Sequence, residues 1–469
     1  MGLNRFPGPG TTSEWVEDLR SKIRSRKAVI GVIGLGYVGL PLSILFAGDF
    51  CVYGFDTNSA LIKNLQEGNS HVDDVPDSSL KSLAGKSLHL TNDDSQLEIC
   101  DFLIVSVPTP LTESKEPDLD SVQGAGEIVA KHLKRGQFVI LESTTYPGTT
   151  RDLLVPTLES TGLRAGEDFG VAYSPERVDP GNSAFRTANT PKVVGGINQE
   201  CTEIAAELFA SVVESVVPVT SCEVAEASKM LENVFRAVNI ALINEMTLML
   251  DLLDIDVWEV IAAASTKPFG FMSFYPGPGI GGHCIPLDPF YMSYRAKQVG
   301  FITRFIELSG EINEFMKFHV VNLLVEGLQR AGKEVRSATI SVFGLSYKRN
   351  IRDTRESPAK KIIEELFKRG CKIRVFDPIA KRIETDAGRF QTELSVEDAL
   401  KDADAVVVLT DHSVFEGLDR IGFESLMSGT PVIVDTRNQI KTPPKGSILI
   451  GLGKGKPADT RHDGQSKTA

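Results

Sequence analysis

Residues 28–48 read AVIGVIGLGYVGLPLSILFAG and carry no charge. An apolar run of this length can be a membrane helix, or a buried strand running into a helix. Five glycines and Pro41 favour the second reading, because they divide the run into a strand, a tight turn and a helix start. The turn carries Gly34-x-Gly36-x-x-Gly39. In a strand–turn–helix unit, Gly34 permits the sharp turn, Gly36 lets backbone approach a pyrophosphate, and Gly39 lets the helix pack close on the strand. The unpaired N–H groups at the helix start favour an anion. The next apolar run, CVYGFD, ends on Asp56, 17 residues after Gly39. A carboxylate there accepts from both ribose hydroxyls and repels a 2′-phosphate, so NAD is expected rather than NADP. A glycine turn without a ligand is the competing reading.

Further strand candidates follow at CDFLIVSVPTP, QFVILESTT, VAYSPER and PKVVGG, with helical patterns between them. Such alternation argues for a parallel sheet with helices on both faces. The pattern changes at Thr220, where Thr220-x-x-Glu223 has the form of a capping box. Apolar residues then recur at helical spacing at Val224, Ala227, Leu231, Val234, Phe235, Val238, Leu242 and Met246, which predicts one long helix over about 222–252. Shorter helices are expected to about 265, and more helix from Pro289 to about 331. From Ala338 the alternation returns in ATISVFG, CKIRVFDP, DADAVVVLTD and PVIVDTRN. Its order repeats the first domain: strand, glycine turn, helix, then a strand ending in Phe-Asp. The fold class is therefore α/β, with two Rossmann-like doubly wound domains joined by a long central helix and a helical middle domain. The expected divisions are a polar lead-in with a short helix at 1–26, a dinucleotide domain at 27–219, a helical domain at 220–331, a second Rossmann-like domain at 332–450 and a polar, disordered tail at 451–469.

The chain has 469 residues, 50 basic and 62 acidic, for a net charge of −12. That balance argues against bulk nucleic-acid or acidic-membrane binding, and an anionic small substrate would need local cations. The N-terminus lacks an apolar signal core, and Phe6 stands where a myristoylation motif wants Ser or Thr, so a cytoplasmic protein is expected. Six cysteines show no CxxC spacing, so neither a metal site nor a disulfide framework is expected. Five sit in apolar contexts and read as inert buried thiols. The sixth, Cys284, follows Pro276, Gly277, Pro278, Gly279, Gly281 and Gly282 in PGPGIGGHCIPLDP. Glycines there let backbone approach a phosphate or a sugar, and a thiol there can reach a small substrate. Taken alone, the same loop reads equally as a linker. Asp288 lies four residues on and could orient a lysine or a water.

Three further groups stand out. Lys229 and Asn233 share a helix face, with Glu226 one turn earlier. Alone, that face reads as solvated, with an ion pair. Glu176 in SPER follows a strand, where α/β sheets bind ligands, or is simply a turn acid. The loop GLSYKRNIRDTRESP offers Lys348, Arg349, Arg352 and Arg355, which with Arg437 suit a nucleotide diphosphate. A surface basic patch is the alternative.

Taken together, GLGYVGLP, VPTP, ESTTYPGTT, SPER, the Lys229–Asn233 helix, GPGIGGHCIPLDP and YKRNIRDTRESP resemble the nucleotide-sugar 6-dehydrogenases, in order, over about residues 28–440. SPER differs from the longer, asparagine-containing acidic motif of UDP-glucose enzymes. TKPFGFMSFYPGPGIGGHCIPLDP looks closest to the bacterial UDP-N-acetylhexosamine branch, particularly its UDP-N-acetylglucosamine enzymes. UDP-glucose is the alternative substrate.

The resemblance implies NAD-dependent oxidation of a sugar C6 alcohol to a carboxylate, in two hydride transfers, for a surface polysaccharide precursor. Cys284 would form a thiohemiacetal and then a thioester. Lys229 would stabilise the alkoxide or oxyanion, with Asn233 assisting. Glu176 would be the base for the hydrolytic water, Thr144 would help hold a water and the nicotinamide end, and Asp288 would tune Lys229. Gly34, Gly36, Tyr37, Val38, Gly39, Asp56, Thr109, Thr144 and Arg355 would contact NAD. Glu176, Arg177, Lys229, Asn233, Tyr275, Gly277, Gly279, Lys348 and Arg437 would hold the UDP-sugar. A homodimer through the central helix is implied, with no nucleic-acid or membrane partner. A one-hydride hydroxyacid-type dehydrogenase would share the Lys-x-x-x-Asn pair but would not need Cys284. A nucleotide-sensing scaffold would bind without turnover.

Overall fold

The uncharged run folds as strand β1 (Val29–Ile33), a glycine turn and a helix (Gly39–Ala47) in the computed structural model, which describes residues 14–455 except 113, 180, 183, 283 and 284. Among the described residues no helix is long and apolar enough to cross a membrane. The chain divides into two units, Met1–Glu232 with Phe290–Phe301, and Asn233–Pro289 with Ile302–Ala469.

The first unit is built on an eight-stranded sheet in the order β3-β2-β1-β4-β5-β6-β7-β8. Its remaining strands are β2 (Cys51–Phe55), β3 (Leu88–Thr91), β4 (Phe102–Val105), β5 (Phe138–Leu141), β6 (Gly170–Tyr173), β7 (Lys192–Gly196) and β8 (Val216–Val219). β4 and β5, FLIV and FVIL, are buried at every position. That is the unbroken apolar run of a parallel strand covered on both faces. Alternate residues feed separate cores: Ile30, Val32, Phe102 and Ile104 on one face, Ile33, Leu103, Val105 and Val139 on the other. The short helix expected in the polar lead-in is present from residue 14. This helix, Glu14–Arg24, buries Val16, Leu19 and Ile23 in the first of these cores. All neighbouring strands run parallel except β6 and β7, which pair antiparallel with Tyr173 opposite Gly195. β3 and β8 were not read from the sequence. β8 contains Pro218 and pairs only with β7, at the sheet edge, where proline removes no ladder bond.

The second unit carries a parallel sheet in the order β10-β9-β13-β14-β15, made of β9 (Thr339–Phe343), β10 (Lys372–Phe376), β13 (Ala405–Val408), β14 (Val432–Asp435) and β15 (Ile448–Gly451). A hairpin, β11 (Arg382–Thr385) and β12 (Gly388–Gln391), follows β10. Ser357 caps the helix Pro358–Lys368, with proline in the first turn where its missing N–H costs nothing. β15 ends on Gly451, the first residue of the stretch expected as polar tail, and the residues that follow it are bonded to the helical part of the same unit. Gly453 N and Gly455 N donate to Asp251, at 3.3 and 3.1 Å, and Trp258 Nε1 donates to Leu452 O at 2.8 Å. Residues beyond 455 lie outside those described.

The expected long helix is present as Cys222–Leu252. Its start is one residue later than the capping box implies: Val224 N donates to Ser221 Oγ at 3.4 Å, and Ala225 N to Ser221 O at 3.3 Å. Its apolar stripe is not its buried face. Val224, Phe235, Leu242 and Met249 are exposed, and Leu231 is 69% exposed. Glu226, Lys229, Asn233, Asn244 and Thr247 are buried instead.

Candidate functional site

In the first unit, Gly34 has φ +90° and its N–H donates to Phe55 O at 2.9 Å, closing the turn onto β2. A Cβ on Gly39 would stand 1.8 Å from Gly34 O, so only glycine fits that crossing. A Cβ on Gly36 would meet nothing within 4 Å, which leaves open space in front of that backbone. The helix Gly39–Ala47 has no side-chain cap and no acid in its first turn. Its N-terminal N–H groups therefore suit an anion. Asp56 Oδ2 accepts from Leu35 N at 3.0 Å, and Oδ1 from Asn58 N at 2.9 Å, which fixes the half-buried carboxylate at the end of β2. Tyr37 is exposed beside His71, and Val38 sits at the helix start. Thr109 Oγ1 donates to Thr144 O at 2.8 Å and so joins the loops after β4 and β5. Glycine spacing, open backbone and acid together fit a dinucleotide.

The second unit repeats this geometry with different chemistry. Gly344 has φ +85°, its N–H donates to Phe376 O at 2.9 Å, and Leu345 N donates to Asp377 Oδ2 at 2.7 Å. There, however, Ser346 replaces the central glycine. Asp377 is buried, and its oxygens are taken up by Ile379 N, Ala380 N and His412 Nε2. That carboxylate has no room for a ribose. Burial pushes it up, but the His412 ring and the backbone donors outweigh that and hold it below the usual carboxylate range.

At the carboxyl edge of the first sheet, Glu176, Lys192, Glu142 and Lys229 come together. Lys229 is only 6% exposed, and its Nζ donates to the main-chain carbonyl of Glu176 at 2.6 Å. The solvated-face reading of this helix is therefore wrong. Glu226 likewise does not sit in a surface ion pair. It is buried, and accepts from Gly148 N at 2.6 Å, Thr150 N at 2.9 Å and Thr150 Oγ1 at 2.6 Å. Burial, only partly offset by these donors, pushes its carboxyl up to about 7. Glu176 Oε1 accepts from its neighbours Arg177 N and Val178 N, both at 2.7 Å, and Oε2 lies 3.4 Å from Lys192 Nζ. Burial pushes Glu176 up; Lys192, the two backbone donors and Lys229 outweigh it, and the net shift is downward. Arg177 pairs with Glu232 at 2.6 Å and donates to Pro191 O at 2.8 Å. Sequence reasoning missed Lys192 and Glu142.

In the second unit, Asn233 is fully buried and its Nδ2 donates to Asp288 Oδ2. Tyr275 is 54% exposed and stacks on Trp258, centroids 5.9 Å apart. Arg437 donates to Asp411 through Nε at 3.2 Å and Nη2 at 2.8 Å. A Cβ on Gly277 would stand 2.7 Å from Arg437 Nη1, and Cβ atoms on Gly281 and Gly282 would stand 2.6 and 2.9 Å from Tyr347. The glycines at 277, 281 and 282 thus make room for Arg437 and Tyr347. Gly279, at φ +118°, needs glycine for its backbone. Lys348 is half-buried, and Arg355 pairs with Asp353 at 2.7 Å. His283 and Cys284 lie outside the described residues. Of the other cysteines, Cys100, Cys201, Cys222 and Cys371 are buried and Cys51 half-buried. Burial raises all five thiols, Cys100 and Cys201 to about 12.

The first unit thus has the fold and turn chemistry of a dinucleotide-dependent oxidoreductase. Residues 28–228 match the NAD binding domain of the UDP-glucose/GDP-mannose dehydrogenase family, residues 223–315 its central domain and residues 341–442 its UDP binding domain. The chain belongs to that family, the nucleotide-sugar 6-dehydrogenases. It is 37% identical over 431 residues to a UDP-N-acetyl-D-mannosamine dehydrogenase of Pyrococcus horikoshii, covering 91% of this chain and 99% of that one. It is 37% identical over 392 residues to a UDP-N-acetyl-D-glucosamine 6-dehydrogenase of Pseudomonas aeruginosa, covering 83% and 89%. A solved structure of UDP-D-ManNAc dehydrogenase from Pyrococcus horikoshii superposes with a TM-score of 0.84 at 36% identity, covering 91% of this chain and 99% of that chain.

Proposed function

We propose that this chain oxidises C6 of a UDP-N-acetylhexosamine to the uronic acid, with UDP-N-acetylglucosamine the first substrate to test. The observation that carries the reading is the buried Lys229 amine bonded to the Glu176 carbonyl at the carboxyl edge of the sheet. A cation and an acid at one sheet end are what alkoxide stabilisation and water activation need. When bound, NAD supplies a hydride acceptor. Gly34, Gly36, Tyr37, Val38 and Gly39 would line its pyrophosphate, Asp56 its ribose, Thr109 and Thr144 its nicotinamide end, with Arg355 a further contact.

Lys229 stabilises the alkoxide as the first hydride leaves C6, with Asn233 assisting and Asp288 holding Asn233 in place. The Cys284 sulfur adds to the resulting aldehyde, and its S–C bond makes a thiohemiacetal that can give up the second hydride. The thioester so formed is hydrolysed by a water whose proton passes to Glu176, which returns the thiol and releases the acid. The role of Cys284 rests on the sequence motif. Arg177, Tyr275, Gly277, Gly279, Lys348 and Arg437 would hold the UDP-sugar. The exposed stripe Val224, Leu231, Phe235 and Leu242 supports a homodimer through the long helix.

UDP-N-acetylmannosamine is the second reading, because a relative bearing that name matches over 91% of this chain. Offering UDP-N-acetylglucosamine, UDP-N-acetylmannosamine and UDP-glucose separately with NAD, and identifying the products, tests the choice. Acid from UDP-N-acetylglucosamine supports it, and turnover of UDP-glucose alone overturns it. Such an acid would suit a surface polysaccharide precursor.

A further inference from the structure

The antiparallel pairing of β6 with β7 has a chemical consequence. In a purely parallel sheet, the first residue of a strand lies at the amino edge, away from bound ligands. β7 runs the other way, so its first residue, Lys192, arrives at the carboxyl edge. The register pairs Ala172 with Gly196 and Tyr173 with Gly195. Continued by three residues, it sets Glu176 opposite Lys192. β5 runs parallel to β6 with Leu141 beside Tyr173, so Glu142 comes to the same edge.

The side chains complete what the register begins. Lys192 is 3% exposed, and its Nζ bonds to Glu142 Oε1 and lies 3.4 Å from Glu176 Oε2. It also lies over the Phe209 ring, 5.2 Å from the centroid. Glu142 is buried, and its Oε2 has no hydrogen-bond partner. Glu176 side-chain atoms are 16% exposed, the most accessible of the three. A buried ion pair adds little stability over an apolar pair of the same volume, so stability alone is a weak reason for this arrangement.

We infer that Lys192, anchored by Glu142, is a positioning residue that holds the Glu176 carboxylate as an anion in one orientation for the hydrolytic half of the reaction. The inference rests on the proposed role of Glu176 as base. The charged groups facing Glu176 are Lys192 from β7 and Lys229 from the long helix, with Glu142 behind Lys192. Glu176 Oε1 is held by its own backbone donors, which leaves Oε2 for Lys192. Burial alone would raise this carboxyl, and Lys192 is the largest of the influences opposing it. Without Lys192 the base would be neutral over more of the pH range, and its free oxygen could turn.

The test uses full-length protein with NAD and UDP-N-acetylglucosamine. It compares Lys192→Met, Lys192→Arg, the double variant Glu142→Gln/Lys192→Met, and Glu176→Gln. The double variant guards against misfolding, because Lys192→Met alone strands the Glu142 charge. In both Met variants, the rising limb of the pH–kcat profile moves to higher pH. Acid release slows by about 10- to 100-fold, up to the lower end of what a general base itself contributes, as suits a positioning residue. KM for both substrates stays within about 3-fold, and the NADH burst of a single turnover survives. Lys192→Arg restores most of the rate. An unchanged pH profile and acid release in both Met variants, alongside a blocked Glu176→Gln, overturns the inference alone. Full acid release by Glu176→Gln overturns the reading of Glu176 and the inference with it.

Discussion

The Nζ of Lys229 donates to the main-chain carbonyl of Glu176 at 2.6 Å, so the amine of the long helix fixes the position of the strand-end acid. One substitution should therefore disturb both halves of the reaction. Lys229→Met is expected to lower kcat by about 10²- to 10⁴-fold, with KM for NAD changed by no more than about 3-fold. Steady-state kinetics at saturating NAD reads this. A kcat within about 3-fold of wild type would remove Lys229 from the chemistry.

The proposed role of Asp56 in reading the ribose gives a test of dinucleotide choice. Its carboxylate is oriented by Leu35 N and Asn58 N at the end of β2. Asp56→Ala is expected to raise KM for NAD and to cut the preference for NAD over NADP by about 10-fold or more, since repulsion of the 2′-phosphate is lost. Measuring kcat/KM with each dinucleotide checks it. An unaltered preference would show that Asp56 does not read the ribose.

Glu226 makes stability depend on pH. Its carboxyl is raised from 4.5 to about 7 in the folded chain. Between these values the native state binds more protons than the unfolded state. Stability therefore falls as pH rises through that window, by at most about 3 kcal/mol from this group. Buried Glu142, also raised to about 7, adds in the same direction. Glu226→Gln should flatten the slope of Tm against pH between pH 5 and 7. A slope identical to wild type would assign the effect elsewhere.

The uncovered stripe on the long helix predicts association. Leu231→Asp with Leu242→Asp places charge on two exposed apolar positions and is expected to yield monomers. Sedimentation equilibrium of both proteins decides this. A monomeric wild type would contradict the dimer.

What the sequence disclosed was local. Gly34, Gly36, Gly39 and Asp56 sit within one strand–turn–helix–strand unit, where spacing alone encodes the geometry. The long helix was legible from its period, but its buried face was not. The period marks large apolar residues, and here the polar Glu226, Lys229 and Asn233 are buried beside Ala225, Met230 and Ala237. Lys192 and Glu142 were invisible because their meeting depends on the reversed direction of β7 and joins residues 50 positions apart. Glu226 reaches Gly148 across 78 positions for the same kind of reason. β3, with the sequence LHLT, is too short to stand out, and Pro218 hid β8.

The most direct test of the account is the number of NADH molecules formed per UDP-N-acetylglucosamine consumed when the sugar is limiting. Oxidation of an alcohol to an acid through a Cys284 thioester requires two hydrides. The account predicts two NADH and a uronic acid from the native enzyme. One NADH per sugar, with an aldehyde or ketone as the final product, would contradict it.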